Sequence, residues 1–163
     1  MQHKIEGNKL ILERTFNAPR QKVWDAFTTK EIFAKWWGPR SWETELKEFN
    51  FIEGGVNHYG MKCVDQAQGE WFGKYSWGKM VYSTINPIDS FEYVDYFCDE
   101  NAVVQDTLPA STTLLQFIEE DGKTKIVSTT TFASEEALKT VMDMGMLPGI
   151  TQTWDRLEEV VTE

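Results

Sequence analysis

The 163-residue sequence contains few of the side chains from which metal sites and disulfide frameworks are built. Its two cysteines, Cys63 and Cys98, lie far apart in the chain and form no CxxC pair. This spacing is typical of reduced thiols in a cytoplasmic protein, and we expect no disulfide. The two histidines, His3 and His58, belong to no pattern of metal ligands. We therefore expect neither a metal nor a cofactor.

The sequence also lacks long apolar runs and basic clusters. No run approaches the ~18 apolar residues of a membrane span, and the amino terminus has no signal-peptide pattern. Acidic residues outnumber basic ones by 26 to 16, which gives a net charge of −10. Nucleic acids and anionic membranes are bound by clustered lysine and arginine, which this chain does not have. We expect a soluble cytoplasmic protein that binds neither.

Aromatic residues, in contrast, are abundant. They make up 13% of the chain and include seven tryptophans. The length is that of one domain, and we treat residues 1–163 as a single unit. Aromatic side chains line ligand cavities as readily as they fill cores, so their number leaves both roles open.

The amino-terminal third predicts a strand followed by two short helices. His3 is expected to lie in a frayed terminus, and residues 9–16 alternate as a half-buried strand does. Pro19 suits the start of one helix, and Thr29 suits the cap of a second. The second helix ends at GP after KWW, so Trp36 falls on its buried stripe and Trp37 at its rim.

The rest of the chain predicts an antiparallel meander followed by helix. Residues 42–132 contain six strand-like runs, the last two joined by the hairpin signal Asp121-Gly122. Residues 134–161 have helical periodicity interrupted at Gly145 and Pro148, which indicates one long bent helix or two helices in tandem. The predicted fold is α+β. A curved antiparallel sheet of about seven strands surrounds a long kinked C-terminal helix, two short helices follow the first strand, and a cavity lies between sheet and helix.

Six segments in this order resemble one known family: NAPRQKVWDAFTT, KWWGPRSW, FNFIEGGVNHYGM, WGKMVYSTINP, EEDGKTKIVSTTTF and GMLPGITQTWDRL. The sequence is similar to homologues of the activator of the heat-shock protein 90 ATPase, within the superfamily of START, polyketide-cyclase and pollen-allergen-like domains. The resemblance runs from about Lys9 to Val161. The resemblance implies a helix-grip fold with an internal cavity. Members of the family include ligand binders and co-chaperones.

Two departures limit what the resemblance implies about activity. Members often carry Asp-x-Arg before the double glycine, where this sequence has Asn50 and Ile52 and so lacks that charge pair. Pro148 stands where helix-compatible residues are usual. The resemblance therefore implies the fold and no particular reaction.

Bulky side chains on the predicted inner faces are the candidate cavity lining, and the methionines among them can adapt to varied ligands. The alternative is that these residues simply fill the core. The candidates are Phe33, Trp36, Trp37, Tyr59, Met61, Trp77, Met80, Tyr82, Asp95, Met142, Met146 and Trp154.

Polar residues within apolar strands are the candidates for orienting a ligand. Tyr82 and Asp95 are the two we select, although the pattern favours an Asp95 that faces solvent over one that faces the cavity. His58 alternates with Tyr59, so we expect it to face outward or toward the sheet edge.

The loop at residues 98–111 is unusually apolar for a surface connection. We expect it to meet the end of the second helix, where Trp37 with Val103 or Leu108 would form a gate to the cavity. The alternative is that these patches pack together in a closed core or in a dimer.

The leading functional hypothesis is non-catalytic binding of a small apolar or aromatic molecule, as a carrier or sensor. One alternative is a co-chaperone-like domain with a chaperone as its partner. Another is a cyclase or hydrolase that uses a cavity tyrosine or aspartate for acid–base chemistry, although no catalytic residue is assigned. The predicted assembly is a monomer or a weak homodimer.

Overall fold

The computed structural model describes residues 1–163 and has an α+β architecture, as the sequence predicts. One antiparallel sheet, curved and unclosed, contains eight strands in the order β1-β2-β8-β7-β6-β5-β4-β3. The strands are β1 Gln2–Glu6, β2 Lys9–Phe16, β3 Trp42–Phe49, β4 Val56–Cys63, β5 Tyr75–Asn86, β6 Ser90–Cys98, β7 Ser111–Glu120 and β8 Lys123–Phe132.

Five helical segments complete the fold. They are α1 Arg20–Thr28, α2 Lys30–Trp36, a 3₁₀ helix at Gln66–Trp71, α3 Glu135–Asp143 and α4 Met146–Val161. α4 packs on α1 and α2, and its Trp154 contacts Phe16 of β2 on the inner face of the sheet, which is the helix-grip arrangement. None of the helices is long and apolar enough to cross a membrane.

The eighth strand is the one that the sequence does not reveal. β1 pairs antiparallel with β2 through a two-residue turn at Gly7 and Asn8, and Gly7 has a φ of 60°. All five β1 side chains are exposed, so the strand has no buried face and no alternating pattern. The expectation that His3 lies in a frayed terminus is therefore wrong, because His3 pairs with Leu12 of β2.

The C-terminal segment forms two helices in tandem, the second of the two alternatives. The break lies at Gly145, whose φ of 90° is the left-handed conformation that favours glycine. Pro148 is the third residue of α4, where backbone N–H groups have no intrahelical partner. The proline therefore fits the first turn of α4, and the glycine alone separates the helices.

The aromatic core is concentrated where α1, α2 and the second half of α4 meet the sheet. Trp36 is fully buried and donates from Nε1 to the Ala26 carbonyl at 2.9 Å. Trp24 and Phe27 each make edge-to-face contacts with Phe117, at 5.2 and 5.4 Å between ring centroids. The buried residues of α4 begin only at Thr153, so its first two turns lie over a more open part of the sheet.

One arginine joins α4 to the segment that follows α2. Arg156 donates from Nη1 to the carbonyls of Gly38 at 2.7 Å and Trp42 at 3.1 Å. Its Nη2 donates to the Lys35 carbonyl at 3.0 Å. The bond to Lys35 satisfies a carbonyl in the last turn of α2, and the bonds to Gly38 and Trp42 hold the segment between α2 and β3, which includes Trp37.

Replacing Arg156 with lysine is expected to destabilise the protein by about 1–3 kcal/mol. The single ammonium nitrogen of lysine cannot reach all the carbonyls that the two guanidinium nitrogens bind. Urea denaturation of Arg156→Lys measures the effect. The matched control is Arg40→Lys, since Arg40 forms an exposed ion pair with Glu159 on the same helix. Equal stabilities of Arg156→Lys and the wild-type protein would contradict this role.

Candidate functional site

A cavity of about 320 Å³ lies between the inner face of the sheet and the first half of α4. Strands β4, β6, β7 and β8 form its floor, α4 forms one wall, and the segment after α2 forms its roof. Met144 lines the cavity and is 54% exposed, so the cavity meets solvent beside the junction of α3 and α4.

Hydroxyl groups cover part of the floor. Ser111, Thr113, Ser128 and Thr130 all line the cavity. The Oγ1 atoms of Thr113 and Thr130 lie 2.9 Å apart across β7 and β8 and form a hydrogen bond. Tyr93 pairs with Thr113 across β6 and β7 and also lines the cavity. This side of the cavity can donate and accept hydrogen bonds.

The one charged side chain in the lining is Asp95. Tyr59 donates its hydroxyl to the carboxylate, with distances of 3.0 and 3.2 Å to the two oxygens. Tyr59 is on β4 and Asp95 is on β6, so the tyrosine reaches across the intervening strand β5.

A glycine makes that crossing possible. Gly78 on β5 is the register partner of Tyr59, and a Cβ at Gly78 would lie 2.1 Å from the Tyr59 ring. Only a residue without a side chain lets the ring lie flat over β5. Gly78 thus positions the hydroxyl of Tyr59 for Asp95.

Burial controls the ionisation of this pair. It raises the pKa of Asp95 to about 7, against an ordinary value of 3.8, although the bond from Tyr59 partly opposes the shift. Burial also raises the pKa of Tyr59 well above its ordinary value, and the nearby Asp95 charge adds to this. No lysine, arginine or histidine lines the cavity, so the carboxylate has no counter-ion there.

The roof and the α4 wall are apolar. Trp37 stacks on Phe33 at 4.9 Å and meets the Tyr59 ring edge-on at 5.4 Å. Met146 and Ile150 contribute from α4. The cavity therefore has an apolar upper part, which suits the hydrocarbon portion of a ligand, and a polar, acidic floor.

The structure brings five of the predicted cavity residues together, namely Trp37, Tyr59, Met61, Asp95 and Met146. Asp95 faces inward, so the solvent-facing alternative is wrong. Six other candidates belong to the packed core or pack against it, because α1, α2 and the second half of α4 close over that end of the sheet. These are Phe33, Trp36, Met80, Tyr82, Met142 and Trp154.

Trp77 is not near the cavity. It pairs with Gly60, and a Cβ at Gly60 would lie 2.3 Å from the Trp77 ring, so the indole covers Gly60 on the outer face of the sheet. There it stacks on Tyr75 at 5.1 Å. His58 lies on the same outer face and is buried beside Trp77, where its Nε2 is 3.0 Å from the Asp99 carbonyl. His58 is thus a polar residue with a partner.

The predicted gate is only half correct in its placement. Trp37 lines the cavity, but neither Val103 nor Leu108 does, and Val103 is 61% exposed. The Asp99 carboxylate accepts the backbone N–H of Val103 at 2.9 Å, and this turns the tip of the loop away from the roof. The loop reaches the cavity through Pro109.

Several lining residues were not among the predicted ones, including Tyr93, Thr113, Thr130 and Ile150. Tyr93 could have been found, because it lies two positions from Asp95 and therefore shares its face. The threonines carry no such signal, since threonine is equally common on exposed strand faces.

The sequence matches the model of the family described as Activator of Hsp90 ATPase homolog 1-like protein over residues 17–162. The crystal structure of protein Ms6760 from Mycobacterium smegmatis is similar, with a TM-score of 0.87 and 27% identity over 99% of this chain and 96% of that one. The NMR structure of a Staphylococcus epidermidis protein is also similar, with a TM-score of 0.84 and 31% identity over 99% of this chain and 94% of that one. A protein from Arthrobacter aurescens shares the fold. Its NMR structure has a TM-score of 0.89 and 23% identity over 99% of this chain and 91% of that one. No curated protein matched the sequence.

Asp95→Asn is expected to stabilise the protein at pH 8 and to change little at pH 4. The folded chain keeps the Asp95 proton up to a pKa of about 7, whereas the unfolded chain releases it near 3.8. The contribution of Asp95 to wild-type stability therefore falls as the pH rises between these values. Asparagine still accepts from Tyr59 and has no proton to release, so we expect a gain of about 2–4 kcal/mol at pH 8.

Urea denaturation at both pH values measures this difference. Glu92→Gln is the matched control, because it removes the same charge from the same strand outside the cavity lining. A loss of stability in Asp95→Asn that is equal at pH 4 and pH 8 would show that the carboxylate is not held as described.

Proposed function

Because the chain belongs to the family of Activator of Hsp90 ATPase homolog 1-like proteins and has the helix-grip fold, we propose that it binds a small apolar or aromatic molecule in this cavity. In this proposal it is a non-catalytic carrier or sensor. The observation that carries the proposal is an unfilled space under a helix, at a position where a larger side chain would fit.

That position is Gly149 in α4. It lines the cavity, its φ is not in the left-handed region, and a Cβ built on it meets no atom within 4 Å. Glycine inside a helix destabilises it by about 0.5–1 kcal/mol relative to alanine. A purely structural core would gain from a larger residue here. Glycine keeps the cavity open instead, and this supports a role for the space.

The size and lining of the cavity fit a compact ligand. Its volume of about 320 Å³ is near the lower end of the range of about 300–1,000 Å³ for ligand pockets. Trp37, Met146 and Ile150 would bury the body of the ligand, and the hydroxyls of the floor would orient it. Affinity would come mainly from buried apolar area.

The Asp95–Tyr59 pair favours a second candidate, an acid–base enzyme of cyclase or hydrolase type. A carboxyl group with a pKa of about 7, hydrogen-bonded to a tyrosine, can take up or release a proton at neutral pH. In that case Asp95→Asn would abolish turnover of a bound molecule. A carrier instead keeps its ligand chemically unchanged.

Gly149→Leu is expected to abolish ligand binding while leaving stability unchanged or about 0.5–1 kcal/mol higher, because the new side chain fills the cavity and improves the helix. The measurement is the fluorescence of the neutral probe N-phenyl-1-naphthylamine, titrated with each protein, beside urea denaturation. A rise in probe fluorescence is expected with the wild-type protein and not with Gly149→Leu.

Gln152→Leu is the matched control, since it adds the same side chain to an exposed position of α4 outside the cavity lining. It should bind the probe as the wild-type protein does. Equal probe binding by Gly149→Leu and the wild-type protein would contradict the proposed site. A chaperone partner bound to the outer surface would be insensitive to Gly149→Leu, so this variant also separates the co-chaperone alternative.

A further inference from the structure

We propose that the ligand carries a protonated amine, which the carboxylate of Asp95 holds at the floor of the cavity among the surrounding aromatic rings. This inference rests on the proposed function, because it names the chemical class of the molecule bound there.

The carboxylate has spare acceptor capacity. An ionised aspartate offers about four lone-pair positions, and Tyr59 is the one side chain that donates to Asp95. The other cavity residues near it contribute no cation. Asp95 is half-buried, and a carboxylate removed from most of its water is unfavourable unless a donor or an opposite charge completes its bonding. A ligand ammonium supplies both.

The walls around Asp95 suit a cation more than a neutral group. Tyr59 and Tyr93 flank it on the floor, and Trp37 meets Tyr59 at 5.4 Å from the roof. Aromatic faces attract ammonium groups, and the attraction is stronger where water is excluded. The net charge of −10 also favours the approach of cations and opposes that of anions.

Few groups near Asp95 can titrate in the neutral range. The titratable neighbours are Tyr59 from β4, Tyr82 from β5, and Tyr93 and Cys98 from β6. Burial raises the pKa of each, to about 11 for Cys98. Tyr96 of β6 also lines the cavity, and the lining residues of α4, β7 and β8 have no titratable side chain. Asp95 is therefore the carboxyl group of the lining that changes charge between pH 6 and pH 8.

The test compares three probes of one shape: 1-naphthylmethylamine, 1-naphthalenemethanol and 1-naphthoate, which are cationic, neutral and anionic at pH 8. Isothermal titration calorimetry of the full chain measures each affinity. We expect the amine to bind at least tenfold more tightly than the alcohol and the carboxylate not to bind detectably. The affinity for the amine should rise from pH 6 to pH 8, because Asp95 ionises in that interval, and the affinity for the alcohol should not.

Asp95→Asn should reduce the affinity for the amine to that for the alcohol or below, while Glu92→Gln should not change it. Heteronuclear NMR spectra of both variants establish that each is folded. Equal affinities of the wild-type protein for the amine and the alcohol would overturn this inference and leave the proposed function standing. Failure of all three probes to bind would contradict both.

Discussion

The arrangement of the cavity depends on the hydrogen bonds that the guanidinium of Arg156 donates. This guanidinium ties α4 to the main-chain carbonyls of Lys35, Gly38 and Trp42, and so holds the end of α2 over the sheet. A short helix of seven residues has little stability of its own. With its last carbonyls bound by α4, it presents two adjacent tryptophans to different surroundings. Trp36 enters the core, and Trp37 covers the cavity.

A second constraint arises inside the sheet. Without a side chain at Gly78, the ring of Tyr59 can cross a whole strand and reach Asp95. The carboxylate then lies in a low-dielectric environment with one donor and no counter-ion, which is the origin of its raised pKa. Such a group lowers the stability of the empty protein at neutral pH. Gly149 in α4 also lowers stability, and in the proposed function both features serve ligand binding.

The sequence was sufficient for the fold because the apolar periods of β2 and α2 and of the C-terminal helices are clear. It could not reveal β1, whose exposed side chains have no period. Site residues were harder, since the face of each strand depends on register between strands. Trp77 and Met80 illustrate this: their positions differ by an odd number, so one strand cannot present both on its inner face. Asp95 and Tyr59 were predicted individually, but their pairing across β5 follows from Gly78 and required the structure.

Native mass spectrometry of the wild-type protein, purified gently from cells, tests the central claim most directly. The account predicts one small molecule bound per chain, lost on denaturation, with an apolar body and a basic nitrogen in its fragment spectrum. The contradicting result is a chain that carries nothing after gentle purification and takes up no compound from an extract of small molecules from the same cells.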